Sequence, residues 1–127
     1  MSIQLNHTIV WCRDQEKSAN FLAEILGRQA PTRYGPFHVV EVDNGVSLDF
    51  HETDEPIAMQ HYAFLIGEDD FDVIYGRIRE REIGHWADPG QSKPGRINRR
   101  DGGRGVYFED PDGHLLEVLT RPYGSGG

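Results

Sequence analysis

Gly113-His114-Leu115-Leu116-Glu117-Val118, near the C-terminus, has an earlier counterpart in Gly45-Val46-Ser47-Leu48-Asp49-Phe50. Each runs turn glycine, three residues, a carboxylate, then an apolar residue. Farther upstream, Leu5-Asn6-His7-Thr8-Ile9-Val10 matches Met59-Gln60-His61-Tyr62-Ala63-Phe64: apolar, amide, histidine, then a strand-like run. The chain reads as a duplication in which each half carries one histidine and one carboxylate. Two imidazoles and two carboxylates form a donor set able to hold one divalent metal. Unrelated hairpins with glycine turns would share part of this pattern. Agreement of order, turn glycine and ligand type favours the repeat.

The segments between these motifs fit the same scheme. Leu5 to Cys12 is rich in β-branched and aromatic residues, as strands are. Asp14 is placed to cap a helix over Gln15–Leu26, with Phe21, Leu22, Ile25 and Leu26 on one face and Gly27 as its stop. A short strand follows Pro31. Phe37–Val42 and Val46–His51 form a hairpin around Asp43-Asn44-Gly45. The second half repeats this order. Gln60–Ile66 is a strand, and Glu68–Ile83 a helix with Phe71, Ile74 and Ile78 inward. Gly84–Ala87 is a short strand, followed by a long loop over about residues 88–103. Arg104–Glu109 and His114–Thr120 form a hairpin. The Gly124-Ser125-Gly126-Gly127 end reads as a flexible tail.

Strand side chains alternate between faces. Asp49 therefore shares a face with Ser47 and His51, and Glu117 with Leu115 and Leu119. A glutamate between two leucines is costly to bury unless it is paired or bound to a metal. His7 lies with Leu5, Ile9 and Trp11, and His61 with Ala63 and Leu65. Each histidine, taken singly, is more often a satisfied core residue than a ligand. Together they describe a mostly apolar hollow with a polar centre.

Bulk properties narrow the function classes. The 127 residues suffice for one domain with a core. A net charge of −8 argues against general nucleic-acid binding. The single cysteine, Cys12, excludes an internal disulfide. No run approaches the ~18 apolar residues of a membrane span. A strand-like pattern starts close to Met1, so no signal peptide and a cytoplasmic location are expected. No glycine-rich phosphate fingerprint, Ser-His-Asp set or activated cysteine stands out. Lys93, Arg96, Arg99, Arg100 and Arg104 cluster in the long loop. They form either a lid over an anionic substrate or a solvated loop whose ion pairs contribute little, and the second reading is favoured.

These residues resemble the vicinal oxygen chelate superfamily, which includes glyoxalase I, extradiol dioxygenases, and fosfomycin-resistance and bleomycin-binding proteins. The resemblance spans nearly the whole chain. It rests on the two histidine motifs and above all on Val106-Tyr107-Phe108-Glu109-Asp110-Pro111-Asp112-Gly113-His114-Leu115-Leu116-Glu117. It implies an α+β fold: one glyoxalase-like domain over 1–127, made of two βαβββ modules at about 3–55 and 57–121. The modules would form curved sheets around a cleft, with helices on the convex faces.

The resemblance also implies metal ligands at His7, His61 and Glu117. Asp49 falls where glyoxalase I places a fourth ligand, usually glutamate. Being one methylene shorter, it either coordinates directly or acts through water. His51 is then a substitute ligand or a wall residue. Tyr107, ten residues before Glu117, matches a tyrosine near the metal of extradiol dioxygenases, and is equally an ordinary strand aromatic. The histidine that accompanies that tyrosine is missing from Ile97-Asn98-Arg99-Arg100-Asp101, which counts against ring cleavage by the usual route.

The implied function is a metal-dependent glyoxalase-like isomerase, lyase or epimerase with Glu117 as the base. One divalent metal (Fe, Ni, Mn, Co or Zn) would chelate a small-molecule substrate through vicinal oxygens and stabilise an oxyanion. The alternatives are an Fe(II)-dependent dioxygenase or a non-catalytic drug-binding protein. The apolar face residues suit a substrate with an aromatic or apolar part, the basic loop an anionic one. A homodimer is expected.

Overall fold

The computed structural model describes residues 1–126. Its contacts sort the chain into two compact units, Met1–Ala58 and the part from Met59 onward. Both are α+β and share one topology.

The first unit contains β1 (His7–Cys12), α1 (Gln15–Leu26), β2 (Thr32–Tyr34), β3 (Phe37–Glu41) and β4 (Ser47–Glu52). The strands pair in the order β1-β4-β3-β2. β1 and β4 are parallel, which requires the crossover that α1, β2 and β3 supply. Helix α1 has the expected bounds because both its ends are capped. The Asp14 side chain accepts the Lys17 N–H at 3.1 Å, and Gly27 closes the C-terminus at φ 70°. Its face packs on β3 and β4, burying Leu22 and Ile25 with Val40, Leu48 and Phe50. Each such side chain contributes roughly 1.5–3 kcal/mol.

The second unit contains β5 (His61–Leu65), α2 (Glu68–Glu80), β6 (His85–Trp86), β7 (Gly105–Glu109) and β8 (Leu115–Leu119). The order β5-β8-β7-β6 repeats the first sheet, again with the outer pair parallel. Helix α2 stops before the expected Ile83. Glu82 turns left-handed at φ 54°, and the Ile83 N–H bonds back to the Ile78 carbonyl at 3.0 Å. Phe71, Ile74 and Ile78 are buried, as are Val106, Phe108 and Val118 of the sheet.

The Asp110–Gly113 turn explains much of the longest motif. Asp110 Oδ1 accepts the N–H groups of Asp112 and His114, each at 2.9 Å. Burial pushes the Asp110 carboxyl above its ordinary value. His114 is buried, and its Nδ1 accepts the Gln60 N–H at 3.0 Å. The motif thus ties the start of β8 to the residue before His61. Among the described residues, no helix is long and apolar enough to cross a membrane.

Candidate metal centre

The parallel registers place the candidate donors equivalently in the two units. In the first, Ile9 lies opposite Asp49, so His7 is one diagonal step from the carboxylate. In the second, Ala63 lies opposite Glu117, and His61 takes the same diagonal. Alternation puts each histidine and its carboxylate on one face of their sheet.

Only the second unit closes the pair. His61 Nε2–H donates to Glu117 Oε1 at 3.1 Å. The Glu117 residue is 0% exposed, between the buried Leu115 and Leu119, while the His61 side chain keeps 42% of its exposure. In the first unit, His7 Nδ1 bonds the neighbouring Asn6 Oδ1 at 2.7 Å, and Asp49 Oδ1 accepts the Ser47 hydroxyl at 2.9 Å. No hydrogen bond joins His7 to Asp49. His51 stands between aromatic rings, stacked on Trp11 and edge-on to Phe37, with both centroids 5.1 Å away. A cavity of about 500 Å³ in this unit is lined by Gln15, Arg33, His38, His51 and Glu52 among others, but not by His7 or Asp49. The lining of this cavity is polar and largely at the surface.

Tyr107 lies opposite Glu117 across β7 and β8 and is buried. Its ring sits 5.8 Å from that of His61. Its hydroxyl accepts from Arg100 Nη1 at 3.1 Å and lies 2.7 Å from the Tyr123 hydroxyl. Tyr123 in turn donates to Glu117 Oε2. Burial, followed by the bond to Glu117, raises the Tyr123 phenol well above its ordinary value. Tyr123 has no place in the repeat, so sequence reasoning missed it. It also corrects the expectation of a flexible end: Gly124 and Gly126 donate their N–H groups to the Asp101 carboxylate. Gly127 lies outside the described residues.

The basic loop is tied down at several points. Arg104 bonds Glu68 at 2.8 Å and Asp72 at 2.7 Å, and its guanidinium lies 4.5 Å from the Phe71 ring centroid. Arg100 is committed to the two tyrosines. Asp88 accepts N–H groups of Ser92 and Lys93.

Among the described residues, no group of three or more His, Cys, Asp or Glu side chains comes together to hold a cation. The His61–Glu117 pair nevertheless fits a divalent metal in kind. A carboxylate wholly removed from water, beside an imidazole open on one side, combines a hard and a borderline donor with an approach path. Its protein partners, an imidazole and a phenol, provide no permanent positive charge.

The chain matches, over residues 4–118, the model described as the Glyoxalase/Bleomycin resistance protein/Dioxygenase superfamily. It belongs to this superfamily. Its paired βαβββ units are the superfamily's fold. Among solved structures, the oxidase ChaP-H1 is 63% identical with a TM-score of 0.95, covering 97% of this chain and 99% of that one. The oxidase ChaP-H2 is 61% identical with a TM-score of 0.97, covering 100% of both chains. The metallothiol transferase FosB of Shouchella clausii (strain KSM-K16) is 42% identical over 122 residues, 91% of this chain and 79% of the relative.

Proposed function

We propose that this protein is a metal-dependent oxidase acting on a small molecule with neighbouring oxygen atoms, with His7, His61 and Glu117 as ligands. The observation that carries the choice is the contrast between Asp49 and Glu117. Ser47 engages only Oδ1, so what sets Asp49 apart is that it makes no hydrogen bond to His7, whereas Glu117 meets His61; the donor set proposed is therefore two imidazoles and one carboxylate. That set leaves open positions and suits Fe(II). The isomerase or lyase reading placed first on sequence uses a fourth carboxylate, which Asp49 does not present towards His7. Full-length similarity to two proteins named oxidases supports the same choice.

A bound divalent cation would supply Lewis-acid activation of the substrate oxygens and, as iron, redox chemistry with dioxygen. The chain's own residues have separate tasks. Glu117 and His61 offer donors from adjacent strands. Tyr107 accepts from Arg100, which leaves its own O–H to donate to Tyr123 or to a substrate oxygen. In that position it can hold or move a proton. Ile9, Trp11 and Leu65 are exposed on the same faces as the histidines and suit an aromatic or apolar substrate. A homodimer belongs to the same proposal.

The test is metal analysis of protein purified without added metal, followed by oxygen uptake with Fe(II) and catechols or related aromatic compounds. One metal per chain and substrate-dependent oxygen consumption are expected. Turnover without oxygen consumption would return the isomerase reading. Absence of binding to Fe(II), Ni(II), Mn(II), Co(II) and Zn(II) would remove both.

A further inference from the structure

We propose that Tyr123 is a positioning residue for Glu117, delivered by a C-terminal turn, and that it fixes Oε2 so that Oε1 is reserved for the metal shared with His61. This rests on the metal-site reading above.

The carboxylate has two oxygens with two different partners. Oε1 faces His61 and Oε2 receives the Tyr123 hydroxyl. A divalent cation held by His61 and Glu117 would compete with the first contact and not with the second. Tyr123 then holds the plane of the carboxylate, as outer partners of metal-bound carboxylates do.

The direction of the hydrogen bonds follows from donor chemistry alone. Arg100 can only donate, and it reaches the hydroxyls of Tyr107 at 3.1 Å and Tyr123 at 3.4 Å. A carboxylate can only accept. Both phenol oxygens therefore accept from the guanidinium side, and their hydrogens point onward. Tyr107 donates to Tyr123, and Tyr123 donates to Glu117. Every link in this row has one polarity, and a permanent positive charge stands at its head.

The backbone that presents Tyr123 is itself held. Asp101 Oδ2 accepts the Gly124 N–H at 3.1 Å, and Oδ1 accepts the Gly126 N–H at 3.3 Å. A Cβ on Gly126 would overlap the Asp101 main chain, so the approach needs glycine. Pro122 O accepts the Ser125 N–H at 3.1 Å, closing the turn. The first unit has no such device: Thr53, Asp54 and Glu55 follow its last strand.

The test uses the full chain with Co(II), read by binding titration and by the visible absorption of the bound ion. Tyr123→Phe keeps the ring and removes the hydroxyl. It should weaken Co(II) binding roughly tenfold to hundredfold and shift the spectrum, with unchanged circular dichroism. Asp101→Ala keeps the phenol and frees the turn, so it should act in the same direction. The double variant should be within about twofold of Tyr123→Phe, because both act through one contact. Wild-type affinity and spectrum in Tyr123→Phe would overturn the role of Tyr123 while leaving the metal site standing. If the wild-type chain binds no Co(II), the metal-site reading falls and this inference with it. Should Tyr123→Phe misfold, Asp101→Ala decides alone: unchanged affinity and spectrum overturn the proposal.

Discussion

The two units carry the same strands in the same register, yet only one brings its histidine and carboxylate together. Glu117 reaches His61 across the diagonal between β5 and β8. Asp49, at the equivalent point between β1 and β4, turns to Ser47 two residues away on its own strand. Two differences act in the same direction. Aspartate is shorter by one methylene. Its strand neighbours on that face are Ser47 and His51, where Glu117 has Leu115 and Leu119. A polar neighbour gives the carboxylate a local partner, whereas leucines remove water and leave the histidine and the tail phenol as partners. A duplicated backbone therefore supplies equivalent positions, and the residues beside each position decide whether it becomes a site.

The largest effect should come from breaking the closed pair. Glu117→Ala is expected to abolish divalent metal binding, measured by calorimetric titration. Asp49→Asn should weaken it only slightly. Equal losses in the two variants would mean that Asp49 is a ligand after all, and the isomerase reading would regain its fourth donor.

A smaller effect should come from restoring the missing methylene. Asp49→Glu places in the first unit the residue that the second uses, while Ser47 still competes for it. The expected outcome is a changed Co(II) absorption spectrum with affinity altered by less than about tenfold. Asp49→Glu combined with Ser47→Leu should enlarge the spectral change, because the local partner is gone. If neither spectrum differs from wild type, carboxylate length is not what separates the units.

Much of this difference was legible in the residues. Alternation in Leu115-Leu116-Glu117-Val118 put Glu117 opposite to Leu116 and Val118, and the repeat paired it with Asp49. Asp14 and Gly27 marked both ends of α1. The doubt over Asp49 followed from its length. What no local pattern carries is the partner that a side chain finds at a distance. Tyr123 sits in a Pro-Tyr-Gly-Ser-Gly-Gly stretch whose composition reads as a tail, and its hydroxyl acquires a role only when the Asp101 turn and β8 are side by side. The overrun of α2 has a similar origin: Ile83 continues the apolar character of the helix, while the left-handed turn at Glu82 is set by the Ile83–Ile78 hydrogen bond. The motif from Asp110 to His114 was legible as a family signature but not as a fastener, because its target, the Gln60 N–H, lies far away in sequence.

The smallest expected effect concerns how each unit is fastened at its surface. The second has Arg104 bridging Glu68 and Asp72, and the first has Arg28 on the exposed Asp43. The Arg104 hydrogen bond holds the Asp72 carboxyl below its ordinary value of 3.8. Hydrogen bonds from Thr120 and then Arg104 hold Glu68 below 4.5. Lowered folded-state values mean that the contribution is fully present above these ordinary values. It is lost as pH falls through the lowered ones. The melting temperature of wild type should therefore exceed that of Arg104→Ala by a margin that is constant at neutral pH and shrinks below about pH 4. The margin should be small, because both carboxylates face solvent, and added salt should reduce its ionic part. Arg104 also lies over the Phe71 ring, a packing contact that acid does not remove. A residual margin at low pH would measure that contact. A margin independent of pH throughout would show that Arg104 fastens the unit by packing alone.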